Sequence, residues 1–291
     1  MTVHIIECPY DSGRRDWRMG RGVPRLTEAV VLPTLADAGL TARRVTLRLE
    51  NDETAEIAAT FELQRRTAAS IRQARRDGAW PFIVSGNCNV AAVGAVAGLD
   101  GDDIGVLWLD AHGDCETPET TESAFLDGMG LAMLTGQCWR RPLSMLPGLR
   151  PVPGPRVILA GARQLSDPER DLIDRTGITH VPVNALASGA ATSLLAASLD
   201  RWRDAGVRRV YIHVDVDVLD PAVAPANPFN EPDGLGVEQV RDIIETLAHQ
   251  FEIATAALTA YDPACDPEGK MPFAAAPIAE RLIHAGIGRH R

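Results

Sequence analysis

Two short stretches of the sequence place ionisable side chains at alternate positions directly after apolar runs. The first contains Asp110, His112 and Asp114, and the second contains Asp215 and Asp217. Successive side chains of a strand point to opposite faces, so each set would project together where its strand persists. Four carboxylates and an imidazole gathered at the end of a buried sheet repel one another and lose hydration unless a cation compensates them. The pattern therefore predicts a metal site.

The donor types favour a particular class of ion. Structural zinc sites prefer thiolates and imidazoles, whereas these motifs offer carboxylate oxygens and one imidazole, which suits manganese or a similar first-row divalent cation. A lone Asp-x-Asp after a strand is more often structural, but two such motifs together favour the metal. His213 shares the parity of Asp215, and it is interpreted as a partner of a ligand, a spare ligand or a hydrogen-bonded core residue.

Short aliphatic runs alternate with amphipathic segments along the chain. The predicted strands are Val3–Cys8, Arg44–Leu49, Pro81–Ser85, Ile104–Asp110, Arg156–Gly161, Ile178–Val183, Arg208–Val214 and Glu252–Thr259. The predicted helices are Pro24–Ala38, Glu56–Arg76, Asn89–Leu99, Gly128–Thr135, Asp167–Thr176, Thr192–Ala205 and Val237–His249. Strands separated by helices imply a parallel sheet with right-handed crossovers. A three-layer sandwich and a (β/α)₈ barrel both remain open, and either places its site at the carboxyl ends of the strands, where both motifs fall.

Composition excludes several classes of function. The net charge is −10 and the basic residues are scattered, so nucleic acid is not an expected partner. No apolar stretch approaches the roughly 20 residues of a membrane helix and no signal peptide is recognisable, so we expect a cytoplasmic protein without a membrane partner. Five cysteines without close pairing suit a reducing compartment. With 45% apolar residues, the 291 residues can form one domain, 1–291.

The two acidic motifs resemble the metal signatures of the ureohydrolases, the arginase and agmatinase superfamily. The resemblance extends to the loop Thr117–Thr121 after the first motif, to the Asp-Pro and Pro-Ala elements after the second, and to the opening segment Pro9–Asp11. It implies the arginase-type three-layer α/β/α fold with a mostly parallel eight-stranded sheet. It also implies a binuclear manganese (Mn²⁺) centre and hydrolysis of a C–N bond in a linear guanidine or amidine by a hydroxide that bridges the metals.

One departure from the family concerns a metal ligand. Family members usually carry Gly-Gly-Asp-His after the third strand, and the corresponding segment here places Cys88 at the histidine position. In this substitution and in the loop Thr117–Thr121, the chain is similar to the N-hydroxyarginine hydrolase of cycloserine biosynthesis. A nearby dication lowers the pKa of a thiol, but a thiolate also softens the site for manganese. The metal ligands that the resemblance implies are Cys88, Asp110, His112, Asp114, Asp215 and Asp217.

Further departures concern the substrate. The positions that hold the α-carboxylate in arginases correspond to Glu116, Ser123 and Phe125, and only the serine is retained. L-Arginine is therefore not the expected substrate. The guanidinium-binding glutamate of the family corresponds to Ala260. The carboxylate that binds the guanidinium is therefore missing, unless Tyr261, Asp262 or Glu116 replaces it.

The resemblance also implies two catalytic residues. Asp114 would orient the attacking hydroxide while it binds metal. Asp127 corresponds to the arginase histidine that passes a proton to the leaving group, and it could do so only if its pKa were raised. We therefore predict a hydrolase of a guanidine, hydroxyguanidine or amidine that acts as a homo-oligomer. The alternatives are a non-catalytic metabolite-binding relative and a guanidine-modifying enzyme that uses Cys88 as its nucleophile.

Overall fold

The computed structural model describes residues 1–50, 55–187 and 190–288, and its centre is an eight-stranded sheet. The strands of this sheet are β1 Thr2–Cys8, β4 Thr41–Thr46, β5 Trp80–Ser85, β6 Ile104–Leu109, β7 Val157–Ala160, β8 Thr179–Val181, β9 Arg209–Asp215 and β10 Glu252–Thr259. A short antiparallel pair, β2 Tyr10–Asp11 and β3 Arg14–Arg15, lies beside it. The strand order is β4-β1-β5-β10-β9-β6-β7-β8, and every pairing in the large sheet is parallel.

Helices cover both faces of the sheet. They are α1 Gly22–Leu26, α2 Leu32–Asp37, α3 Glu56–Arg76, α4 Cys88–Leu99, α5 Gly130–Leu134, α6 Arg140–Leu143, α7 Asp167–Thr176, α8 Val183–Ala187, α9 Ala190–Asp204, α10 Val237–Ala248 and α11 Lys270–Ile287. One hydrophobic core joins the sheet to α1, α2, α9, α10 and α11, and a second joins the opposite face to α3, α4, α5 and α7. Strands buried on both faces are typical of parallel sheets between helical layers.

The expected three-layer α/β/α sandwich is confirmed, and the barrel is excluded. Strand β4 starts three residues before the predicted strand, because this exposed edge strand is positioned by pairing with β1 rather than by burial of its own apolar residues. Helix α11 was not predicted, since its interior Pro277 interrupts the helical pattern. A π-helical turn at Thr27–Val31 joins α1 to α2 within the predicted first helix. No helix among the described residues is long and apolar enough to cross a membrane.

Close packing of α3 against α4 fixes the start of α4, which lies directly after β5. A Cβ added at Gly94 would lie 2.5 Å from Cβ of Thr67, and one added at Gly98 would lie 2.5 Å from Cβ of Ile71. The two glycines therefore allow a backbone approach that larger residues would prevent. Because α4 begins at Cys88, this packing holds that cysteine at the carboxyl edge of the sheet.

Candidate metal centre

The carboxyl ends of the central strands open into a cavity of about 400 Å³. The sequence-predicted site residues that line this cavity are Cys88, His112, Asp114, Glu116, Ser123, Phe125, Asp127, Asp215 and Asp217. Asp110 lies against His112 and is 1% exposed. The structure thus brings the residues of both acidic motifs, and the segment around Cys88, to one site.

The first acidic motif is positioned by a bend rather than by a continued strand. Strand β6 ends one residue before Asp110, so the alternation expected through Asp114 does not arise from extended backbone. The backbone N–H of His112 donates to Oδ1 of Asp110 at 2.7 Å, and Nε1 of Trp108 donates to Oδ2 at 2.9 Å. Asp114 has a φ of 48°, and its carbonyl accepts from the first turn of α5. These contacts turn the two carboxylates toward the cavity end of the sheet.

The second motif spans the end of β9 and a 3₁₀ turn. Asp215 is the last residue of the strand, and its Oδ1 accepts the N–H of Asp217 at 2.9 Å. Asp217 accepts from the backbone of Ala111 at 3.2 Å and from Nδ2 of Asn227 at 3.0 Å. Nδ1 of His112 lies 3.4 Å from Oδ2 of Asp217, so the two motifs contact each other.

Cys88 lies against the second motif. Its side chain is 2% exposed, and its Sγ lies 3.1 Å from Oδ2 of Asp215 and 3.2 Å from Oγ1 of Thr259. Possible ligand atoms lie within 4.8 Å of one another in two groups, one formed by Cys88, Asp110 and His213 and the other by Asp110, His112 and Asp217. Asp110 belongs to both groups, so its carboxylate is the one that the two groups share.

Burial and mutual repulsion dominate the electrostatics of the cluster. Burial, reinforced by Asp217, raises the pKa of Asp110 to about 6. Burial and the neighbouring carboxylates raise the pKa values of Asp114, Asp215 and Cys88 well above their usual ranges. These shifts show that the protein alone does not compensate the negative charge gathered here.

His112 compensates part of that charge. Burial acts to lower its pKa, but Asp217 and Asp110 raise that pKa to about 12. Burial likewise acts to raise the pKa of Asp217, yet His112 holds it below its usual range. Within the described ranges, His112 is the only basic side chain at ion-pair distance from the four motif carboxylates. A buried set of oxygen donors with one imidazole and one thiol, short of positive charge, fits divalent first-row cations.

Asp127 is held at the start of α4. Its carboxylate accepts from Nδ2 of Asn87 at 2.8 Å and from the backbone N–H groups of Cys88 at 3.0 Å and Asn89 at 2.8 Å. Burial raises the pKa of Asp127 to about 7 in spite of these hydrogen bonds. The group therefore combines two features, an anchor for the helix that carries Cys88 and a carboxyl able to exchange a proton near neutral pH.

The predicted substrate residues lie at the outer part of the cavity. Oγ of Ser123 accepts the N–H of Phe125 at 3.1 Å, which shapes the loop between the first motif and α5. The ring of Phe125 lies 5.5 Å from that of Phe229 in a tilted arrangement. Glu116 lines the cavity beside Gly128. This part of the cavity is accordingly both aromatic and acidic.

Ala260 lines the cavity at the position of the family's guanidinium-binding glutamate. Its two neighbours do not line the cavity: Oη of Tyr261 donates to Asp266 at 2.9 Å, and Oδ1 of Asp262 accepts the N–H of Ala264 at 3.0 Å. Of the replacements considered from the sequence, only Glu116 lines the cavity.

Several functional contacts were missed from the sequence. Trp108 holds Asp110, Asn227 holds Asp217, and Phe229 forms the aromatic wall. Asn227 and Phe229 lie in the Pro-rich segment 220–232, so the position of that segment directly after the second motif was the available signal. Glu169 lines the cavity and also completes the capping box of α7 with Ser166. No sequence signal separated Trp108 from an ordinary core tryptophan.

The parallel sheet and the acidic cluster at its carboxyl edge define an α/β protein with a candidate divalent-metal site. The comparison with known families gives the same result over almost the entire chain, since residues 2–285 match the model of the arginase family. The chain belongs to the arginase family, whose enzymes are hydrolases of C–N bonds in guanidino and amidino compounds. The ureohydrolase resemblance and the predicted hydrolase class are therefore confirmed.

Individual relatives show the range of the similarity. An N(omega)-hydroxy-L-arginine amidinohydrolase of Streptomyces lavendulae is 34% identical over 188 residues, which are 63% of each chain. The match therefore spans less than two thirds of the length of that enzyme. An arginase of Bacillus subtilis is 26% identical over 97% of each chain. The crystal structure of an arginase from Bacillus subtilis subsp. subtilis superposes with a TM-score of 0.85 at 25% identity, covering 99% of both chains.

Proposed function

We propose that this chain is a binuclear-metal hydrolase that cleaves a C–N bond of a guanidine, hydroxyguanidine or amidine other than L-arginine. The observation that carries the proposal is the buried cluster of four carboxylates, His112 and Cys88 at one cavity. Among the described residues, no lysine or arginine forms an ion pair with any of these four carboxylates. The residues that would hold the two cations are Cys88, Asp110, His112, Asp114, Asp215 and Asp217. We propose Mn²⁺ as the ion, because oxygen donors dominate this set.

The chain's own residues supply the remaining chemistry. Divalent cations held by these residues would lower the pKa of a coordinated water toward ~7 and so supply the nucleophile that attacks the planar substrate carbon. Asp114 lines the cavity and would orient that nucleophile through its carboxylate. Asp127 would transfer a proton to the departing nitrogen, a role compatible with its pKa of about 7. Ala260 places no carboxylate at its own position of the cavity wall, which favours a hydroxyguanidine, since hydroxylation lowers the basicity of the guanidine.

A screen of substrates tests this proposal directly. Manganese-loaded protein would be incubated with guanidines, hydroxyguanidines and amidines, and urea, hydroxyurea and ammonia would be measured. Metal-dependent release of one of these products supports the proposal. Two bound metal equivalents without any turnover across the panel would favour a metabolite-binding relative instead.

Replacement of Asp127 by asparagine should lower kcat by about 10²–10⁴-fold, the usual contribution of general acid–base catalysis, while metal content stays at two equivalents. Asp266→Asn is a matched control, because Asp266 is also buried and accepts backbone N–H groups at the start of a helix, here α11, but does not line the cavity. Steady-state kinetics and elemental analysis of both variants give the comparison. Unchanged kcat in Asp127→Asn would reduce this residue to a cap of α4.

Replacement of Cys88 by histidine should keep or increase manganese affinity, and Cys88→Ala should reduce occupancy at one of the two sites. The reason is that histidine supplies a nitrogen donor that manganese accepts more readily than sulfur. Calorimetric titration of the metal-free variants measures both effects. The nucleophile alternative requires the opposite pattern, full metal content with no turnover in both variants and a covalent adduct in the unmutated protein. Burial raises the pKa of the Cys88 thiol, which disfavours a free nucleophilic thiolate.

A further inference from the structure

A row of buried polar side chains leads from the core of the sheet to Cys88. Oη of Tyr211 lies 2.7 Å from Nδ1 of His213, Nε2 of His213 lies 3.2 Å from Oγ1 of Thr259, and that hydroxyl lies 3.2 Å from Sγ of Cys88. All three residues of this row, Tyr211, His213 and Thr259, are fully buried. Nothing in the catalytic scheme above uses these three residues, yet they connect in one line to a proposed metal ligand.

The direction of the hydrogen bonds in this row follows from the partners available. The buried phenol of Tyr211 has His213 as its hydrogen-bond partner. Its O–H therefore donates to Nδ1 of His213. A ring that accepts at Nδ1 carries its hydrogen at Nε2 and donates it to Thr259. A doubly protonated ring would also donate from Nε2. Thr259 therefore receives a hydrogen from His213 in either case, and its own hydroxyl hydrogen is free to point elsewhere.

Two acceptors compete for the hydroxyl hydrogen of Thr259. The carbonyl oxygen of Val214 and Sγ of Cys88 both lie 3.2 Å from Oγ1. While Cys88 is a thiol, its hydrogen points to Oδ2 of Asp215 at 3.1 Å. A sulfur that binds metal has lost that hydrogen and becomes the stronger acceptor, since hydrogen bonds to charged groups are the stronger ones.

Rigid surroundings keep the row in place. The ring of His213 stacks on that of Trp108 with centroids 3.9 Å apart and planes at 21°, and Trp108 in turn donates to Asp110. Strand pairing sets His213 opposite Trp108 on one side, and it sets Asp215 opposite Thr259 on the other. The register of β6, β9 and β10 therefore fixes where His213 and Thr259 lie relative to each other.

We propose that Tyr211, His213 and Thr259 are positioning residues that orient the sulfur of Cys88 for metal binding, with Thr259 donating its hydroxyl hydrogen to the thiolate. This inference rests on the proposed role of Cys88 as a ligand. Partners of this kind fix the orientation of a ligand and typically change metal affinity by about 10–100-fold. His213 itself then acts through Thr259 rather than as a ligand.

Cobalt(II) is the probe for this proposal, because a sulfur–cobalt bond gives a near-ultraviolet charge-transfer band that reports the thiolate directly. Thr259→Val keeps the branched shape but removes the hydroxyl, and it should lower cobalt affinity by about 10–100-fold and move the band. Thr259→Ser should restore both. Thr255→Val is the matched control, since Thr255 is equally buried on β10 but bonds the carbonyl of Pro81 at 2.9 Å.

Tyr211→Phe and His213→Phe extend the test if Thr259→Val folds poorly. Each should lower cobalt affinity and move the band, and the two changes combined should add little to either alone, because both act through one hydrogen bond from Thr259. An unchanged band and affinity in Thr259→Val overturns the inference and leaves the ligand role of Cys88 intact. A much larger loss in His213→Phe than in Thr259→Val also overturns it, because His213 would then bind metal itself. Cobalt binding without any sulfur band in the unmutated protein removes the ligand role of Cys88, and the inference falls with it.

Discussion

Replacing Asp110 and Asp215 together with asparagine should remove at least one of two bound metal equivalents and lower kcat by more than about 100-fold. Asp110 belongs to both groups of possible ligand atoms, and Asp215 lies 3.1 Å from the sulfur of Cys88. An amide oxygen carries no charge to compensate a dication. Elemental analysis of the purified protein and initial rates with the best substrate of the screen measure the two effects.

The same variant should respond differently to metal in thermal unfolding. A ligand that binds only the folded state stabilises it by about 2.7 kcal/mol at 100 times its Kd, which corresponds to a rise of several degrees in Tm. The unmutated protein should show this rise with manganese, and the double variant should lose most of it. Asp262→Asn is the control, since Asp262 is buried at the same sheet edge but does not line the cavity. Full occupancy in the double variant would refute the ligand assignment.

The double variant also tests the electrostatic origin of the site. Burial raises the pKa of folded Asp110 to about 6, above the ~3.9 of an unfolded aspartate, so the metal-free folded state binds more protons between these values. The contribution of Asp110 to the stability of the metal-free protein should therefore fall as pH rises through about 4 to 6. Asparagine at both positions removes two of these ionisations, so the fall should be smaller in the double variant. Melting curves of metal-free protein across this pH range show whether it is.

The positions of the strands were predictable because most residues of each core strand are apolar. All eight predicted strands occur, although β4 is shifted and β6 ends at Leu109 instead of Asp110. The sheet order was not predictable from such runs, since periodicity reports burial and not the neighbour of each strand. The order places β9 between β10 and β6, which brings Thr259 and Trp108 to opposite sides of the second acidic motif.

The placement of the site followed from the motifs, but its supporting contacts did not. Asp110 and Asp215 share a site because parallel strands end at one edge, a consequence of fold class alone. The contacts from Asn227 to Asp217 and from Tyr211 to His213 depend on loop geometry and rotamers, which no local pattern encodes. His213 illustrates the limit, because its sequence position allowed a ligand or a partner of a ligand, although such a histidine is more often a hydrogen-bonded core residue.

L-Arginine should be a poor substrate compared with modified guanidines that lack a free amino-acid head. Among the described residues that line the cavity there is no lysine or arginine, whereas Glu116 and Glu231 line it together with Phe125 and Phe229. An α-carboxylate would meet like charge and lose hydrogen-bond donors, a cost of about 2–5 kcal/mol, or a factor of tens to thousands in binding. The measurement is kcat/KM for L-arginine, N-hydroxy-L-arginine, agmatine and a simple hydroxyguanidine, compared under one set of conditions.

Glu116→Gln separates the charge effect from the shape of the cavity. Removing this carboxylate should improve kcat/KM for L-arginine relative to the substrates that lack an α-carboxylate, which are agmatine and the simple hydroxyguanidine. The reason is that the repulsion between Glu116 and the α-carboxylate disappears while the side chain keeps its size. Glu119→Gln is the matched control, since Glu119 lies in the same loop, is exposed and does not line the cavity. Arginine that equals or exceeds the other substrates in the unmutated protein would contradict the specificity argument from Glu116, Phe125 and Ala260. Other cavity residues would then have to hold the amino-acid head.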